Sequence, residues 1–314
     1  MTNFAAHVIL GLFQALYGGK KGTKERIAMQ ACTSINVFFD SQFQASVQEQ
    51  MRRTADGGFR HVDMNFWDWS HSENSPFKQP DWRRWVEGIG AAAQRMGLTF
   101  MQAHAHVYNF YAYEPDNPHE EQIRRSIEGS GMLGIPWVVL HPSQRPDWEQ
   151  AGSLDRMIEE NAAYFRGLAA YAQQFGVGLA LENMSAAKSG LTTASQLCRL
   201  IEAVGMPNVG ACWDTGHAHL AGQDQSASLR ELSGRLHALH IADNHGQADD
   251  HMPPFFGGID WPPILLALRE IGYDGDFTFE AHSLVRRMPA ACQAEAIRLL
   301  YQIGAHMVEE AGKW

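Results

Sequence analysis

Cysteine is scarce in this chain. The four present (Cys32, Cys198, Cys212, Cys292) lie far apart and form no CxxC pair, which excludes a disulfide framework and a thiolate zinc cluster. They read as reduced, buried small hydrophobes in a cytoplasmic protein. Positive charge is also short: 25 Lys and Arg face 35 Asp and Glu, for a net charge of −10. Apart from Lys20, Lys21 and Lys24 near the N-terminus, the basic residues do not cluster. A nucleic-acid or anionic-membrane surface needs such clusters, so neither partner is expected. No apolar run reaches the roughly 18–20 residues that span a bilayer.

What is present is a core-forming composition. With 314 residues, 45% of them hydrophobic, the chain can bury a large interior. No Pro/Ser-rich linker or shift in composition divides it, so residues 26–314 read as one domain and residues 1–25 as an N-terminal arm or extension. Phe4–Tyr17 is moderately apolar, but no basic residue precedes it and GGKKG follows it. That pattern reads as an arm packed on the domain or on a partner subunit rather than as a secretory leader.

Eight strand-like runs alternate with helical stretches: about 26–35, 61–66, 98–107, 137–142, 178–184, 209–215, 236–243 and 276–282. Helical patterns fill 81–96, 119–133, 153–175, 193–204, 262–271 and 289–311, and glycines 97, 134, 176 and 272 punctuate their ends. Repeated strand–helix alternation predicts an α/β fold, a (β/α)8 TIM barrel.

Four of these runs end on a metal-ligand type: Glu182 after GLAL, Asp214 after VGACW, His240 after LHAL and Glu280 after DFTF. In a parallel barrel the carboxyl ends of the strands meet at one rim, so ligands spread over a hundred residues can converge. Three carboxylates and one imidazole suit Mn²⁺, Mg²⁺, Co²⁺ or Zn²⁺, one ion per site. Side-chain alternation agrees, because the ligand-bearing faces also carry Gly178, Ala180, Gly210, Cys212, Leu236, Ala238 and Thr278. Leu179, Leu181, Val209, Trp213, Phe277 and Phe279 fall on the opposite faces.

Further histidines gather near the same rim. His217 follows Asp214 in DTGH, His141 ends the fourth strand, and His104 and His106 share one face at the end of the third. Asp249 and His251 lie in the loop DDHMPPFFGGIDW. Trp67 and Trp69, in the loop after the second strand, could stack on a sugar ring as readily as pack in the core. His219, His237, His245 and His282 carry no assignment beyond a structural one.

These motifs (LEN at 181–183, HIADN at 240–244, DTGH, the 249–261 loop and FTFE at 277–280) resemble the xylose-isomerase-like TIM-barrel superfamily, in its sugar isomerase/epimerase group. The likeness runs over about residues 26–311. Similarity to ketose 3-epimerases implies one divalent metal, Mn²⁺ first, held by Glu182, Asp214, His240 and Glu280. It implies an enediolate reaction on a small sugar or keto-sugar, with Glu182 and Glu280 as the catalytic acid/base pair. His217, His141, His104, His251 and Trp67 are the candidate substrate-binding residues, and a homo-oligomer is compatible. The pattern departs at Lys188 and Gly246, where those enzymes carry Glu and Arg; this leaves keto-sugar dehydratases and lyases open. The rival within the superfamily is an apurinic-site endonuclease with three zinc ions. Its nine ligand types match His104, His141, Glu182, Asp214, His217, His240, Asp249, His251 and Glu280, but the net charge of −10 opposes a DNA-backbone substrate.

Overall fold

The computed structural model describes residues 29–39, 45–115, 117–185 and 191–313. The N-terminal arm and Lys188 lie outside them. Eight parallel strands form the sheet: β1 (Ala31–Ser34), β2 (His61–Asn65), β3 (Thr99–His104), β4 (Trp137–Leu140), β5 (Gly178–Glu182), β6 (Val209–Asp214), β7 (Leu236–His240) and β8 (Phe277–Phe279). Their order, β7-β6-β5-β4-β3-β2-β1-β8, is that of a (β/α)8 barrel. The barrel closes between β7 and β8, where Ile241 N–H donates to Thr278 O at 2.8 Å and Glu280 N–H donates to Ile241 O at 3.1 Å.

Eleven α-helices are described. Eight form the outer ring: α1 (Val47–Asp56), α3 (Trp82–Met96), α4 (Pro118–Met132), α5 (Ser153–Ala172), α6 (Ala194–Val204), α8 (Gln225–Leu232), α9 (Trp261–Glu270) and α11 (Gln293–Gly312). Three are short and sit on the rim directly after β2, β6 and β8: α2 (Phe66–His71), α7 (Thr215–Leu220) and α10 (Ser283–Arg286). Sequence patterning misses α1, α8 and all three rim helices, and takes 66–77 for a loop. Helices of four to ten residues carry too little periodicity to stand out. Strands three, four, five, seven and eight stop two or three residues short of their expected ends because the chain leaves the sheet at the rim. The ring helices are locally well specified. At α6, Thr193 accepts from Gln196 N–H at 3.2 Å while Gln196 Oε1 accepts from Thr193 N–H at 2.9 Å, a reciprocal cap worth about 1 kcal/mol.

Two cores result. The larger one lies between sheet and helices and contains Leu179, Leu181, Val209, Trp213, Phe277 and Phe279. The smaller one fills the barrel with Val139, Ala180, Cys212 and Ala238, with Trp137 packed against it. The interior is narrow at its floor. Trp137 stacks on His237 at 3.8 Å; a Cβ at Gly178 would lie 2.3 Å from Trp137, and one at Gly210 would lie 2.2 Å from His237. Glycine is required there because two large rings occupy the space. One alternation is corrected. A bulge between Ala211 and Cys212 pairs Ala211 with Leu236 and Cys212 with Ala238. It sends Leu236 to the outer core and brings His237 inside.

Candidate metal and substrate site

Strand alternation carries four side chains to one point. Glu182, Asp214 and His240 are the last residues of β5, β6 and β7, and Glu280 directly follows β8. One ligand atom from each lies within 4.8 Å of the others. Glu182 is fully buried, and Asp214 and His240 are 1% and 2% exposed. His240 Nδ1 stands 3.3 Å from Glu182 Oε2 and 3.4 Å from Glu280 Oε2.

The residues fit a divalent cation. Both Glu182 carboxylate oxygens and His240 Nδ1 are buried with no well-aligned hydrogen bond among the described residues, although His141 Nε2 and His217 Nδ1 lie 3.1 and 3.2 Å from the two oxygens. Orphaned buried polar atoms are costly, and a cation among them would satisfy all three. The donor set of three carboxylates and an imidazole is that of a hard-to-borderline metal.

Histidines ring the cluster. His141 Nε2 is 3.1 Å from Glu182 Oε2, and His104 Nε2 is 3.2 Å from His141 Nε2. His217 Nδ1 donates to Asn183 O at 2.9 Å and lies 3.2 Å from Glu182 Oε1, while its Nε2 meets Asp249 Oδ2 at 3.2 Å. His251 Nε2 lies 3.7 Å from Glu280 Oε2. Of the sequence-predicted residues, Glu182, Asp214, His240, Glu280, His104, His141, His217, Asp249 and His251 are thus brought together.

Three other predicted residues fare differently. Trp67 is 40% exposed on α2 and its ring meets His71 at 4.8 Å, not the cluster. Trp69 belongs to the core, packed on Phe39 and Trp85. His106 does not share the His104 face. Because β3 ends at His104, alternation lapses, and His106 turns to Ser70 Oγ at 2.7 Å and His119 Nδ1 at 2.8 Å.

Electrostatics keep the cluster's two glutamates charged. Burial pushes Glu182 up, but His240 and His141 outweigh it and hold the carboxyl well below the usual range. Glu280 is likewise held low, since His240 and His251 overcome its burial. Asp214 rises to about 6, mainly through burial. Burial also pushes His104 down to about 4, which leaves it neutral at pH 7.

Two supporting residues escape sequence reasoning although the motifs contain them. Asn183 ties the ends of β5 and β6: its Oδ1 accepts from Asp214 N–H at 2.7 Å and its Nδ2 donates to Asp214 O at 3.0 Å. Asp243, fully buried, accepts from the N–H groups of Asn244, Phe255 and Ile259 and from Trp261 Nε1 at 2.9–3.3 Å. It holds the loop bearing Asp249 and His251, in which His251 and Phe255 adopt positive φ of 47° and 73°. A buried Asp followed by a Gly-rich loop is a faint signal without coordinates.

The chain belongs to the xylose isomerase-like TIM barrel family, whose model matches residues 51–303. It is 28% identical over 160 residues to an inosose isomerase of Bacillus velezensis, covering 49% of this chain and 56% of that protein. It is also 28% identical over 203 residues to a probable endonuclease 4 of Methanoculleus marisnigri, covering 58% of this chain and 68% of that protein. The chain spans about half the length of most curated relatives it matches. Among solved structures, an L-ribulose 3-epimerase superposes with a TM-score of 0.71 at 20% identity, covering 91% of this chain and 96% of that one; at that identity the likeness shows the fold.

Proposed function

We propose that the protein is a divalent-metal-dependent sugar epimerase or isomerase acting by proton transfer next to a carbonyl. The observation that carries this reading is the convergence of Glu182, Asp214, His240 and Glu280 within 4.8 Å, with three of their buried polar atoms unpaired among the described residues. Family membership and relatives such as the inosose isomerase support it. A divalent ion, Mn²⁺ first, held by these four residues would supply Lewis acidity toward a substrate carbonyl.

The chain's own groups perform the rest. Glu182 and Glu280 are held ionised by the histidines around them, so either carboxylate is in the base form. One carboxylate takes the carbon-bound proton beside the carbonyl and leaves an enediolate; the other, protonated from solvent beforehand, returns its proton to the same or the opposite face, and the first then releases its proton to solvent. His217, fixed by Asn183 and Asp249, orients a substrate oxygen, and His104 and His141 line the β3–β4 side. Incubation in D2O with Mn²⁺ and a panel of ketoses and cyclic keto-polyols should exchange a carbon-bound hydrogen, and chelator should stop it. Exchange that persists unchanged in chelator would reject the metal-dependent mechanism.

One observation favours a second reading, a three-metal phosphodiesterase. The set His104–His141–Glu182 also offers ligand atoms within 4.8 Å, and His217, Asp249 and His251 adjoin one another. The net charge of −10 opposes a polyanionic substrate. Elemental analysis separates the two, since the epimerase reading expects one tightly held ion per chain and the rival three.

A further inference from the structure

Three consecutive rim segments meet beside Glu280 in a way the proton-transfer machinery does not use. Asn36 follows β1, Asp68 sits on α2 after β2, and Arg286 ends α10 after β8. Arg286 donates from Nε and Nη2 to Asn36 O at 3.0 and 2.7 Å, and from Nη2 to Asp68 Oδ2 at 3.1 Å. Its Nη1 makes no hydrogen bond to the described residues, and the side chain is 31% exposed. Asn36 and Asp68 are 5% and 6% exposed. Two buried polar atoms here lack partners among the described residues, Asn36 Oδ1 and His282 Nδ1. The set borders the catalytic cluster: the His282 ring is 4.4 Å from that of His251, whose Nε2 is 3.7 Å from Glu280 Oε2.

We propose that Arg286, Asp68 and Asn36 form the subsite for the end of the substrate remote from the reacting carbon, and that this end carries uncharged hydroxyl groups rather than a phosphate. The inference rests on the epimerase/isomerase reading and deepens it. Buried polar atoms without partners mark where a ligand's groups complete the pairing. A hydroxyl both donates and accepts, so it matches a set offering a guanidinium N–H unpaired among the described residues, a carboxylate and an amide oxygen at once. A phosphate dianion does not match. The Arg286 charge is already opposed by Asp68, and the Glu280 carboxylate acts on Asp68 as well, so a second anion would have to displace Asp68 from its partner.

The test uses the full chain with Mn²⁺ and follows deuterium exchange into a three-carbon ketose, six-carbon ketoses and their 6-phosphates. The wild type should prefer the six-carbon ketose to its phosphate. Arg286→Gln and Asp68→Asn should each lower the ratio of kcat/KM for the six-carbon over the three-carbon substrate by about tenfold to a hundredfold, mainly through KM, the span expected for hydrogen bonds to charged groups. Arg286→Lys, which keeps the ion pair but not the fork, should fall between. A clasp that merely held three loops together would lower both substrates alike, and that result, or preference for the phosphate, overturns the subsite. Wild-type exchange with none of the panel overturns the epimerase/isomerase reading and the subsite with it, whereas exchange with an unchanged ratio in both variants overturns the subsite alone.

Discussion

At the level of single residues, Glu280 is the group whose loss the proposed chemistry should feel most. Glu280→Gln keeps the shape and removes the base. Deuterium exchange should fall by about 10²–10⁴-fold, the range set by loss of general acid/base catalysis, and activity near the wild-type level would remove Glu280 from the mechanism. Gly210 tests the packed floor. A Cβ there would lie 2.2 Å from the His237 ring, so Gly210→Ala should cost about 1–3 kcal/mol of stability by overpacking, read from urea unfolding. The four cluster residues were legible because each ends an apolar run at the same place in a repeating unit. Trp69 and His106 were not: an aromatic or a histidine in a rim segment looks the same whether it faces the site or the core, and only packing on Phe39 and Trp85, or a bond to Ser70, decides.

At the scale of elements, the barrel was legible through strand alternation, while the bulge in β6–β7 was not. One extra residue leaves no mark in a hydrophobicity pattern, yet it moves Leu236 out and His237 in. That shift has a pH consequence. Burial pushes His237 down to about 4, whereas the unfolded chain titrates near the ordinary histidine value of about 6.5. Below about 6.5 the unfolded state therefore binds a proton that the folded state refuses, and stability falls with pH until about 4. Between pH 7 and 5 the loss from this residue should be roughly 1–2 kcal/mol. His237→Phe should flatten that part of the pH profile of urea unfolding; a profile as steep as the wild type's would contradict it. The β7–α9 loop offers a second test. Asp243→Ala strands three backbone N–H groups and an indole N–H. Hydrogen exchange over residues 244–259 should accelerate well beyond that of the strands, because each unsatisfied buried donor costs about 1–3 kcal/mol.

At the scale of the whole molecule, a metal held as proposed by groups from β5 to β8 would couple its binding to the second half of the barrel. A divalent ion at 100 times its dissociation constant should raise stability by about 2.7 kcal/mol, seen as a higher Tm with Mn²⁺ than with chelator; equal melting in both would argue that no ion is gripped there. Among the described residues, no helix is long and apolar enough to cross a membrane. The substrate was not legible at this scale, since the subsite proposed for it draws on loops after β8, β1 and β2 that meet only in three dimensions. The most direct measurement is an anomalous difference map from a crystal grown with manganese. The account predicts a single strong peak about 2.0–2.4 Å from Glu182, Asp214, His240 and Glu280 together. A map with no peak among those four side chains, or with manganese bound elsewhere, would contradict it.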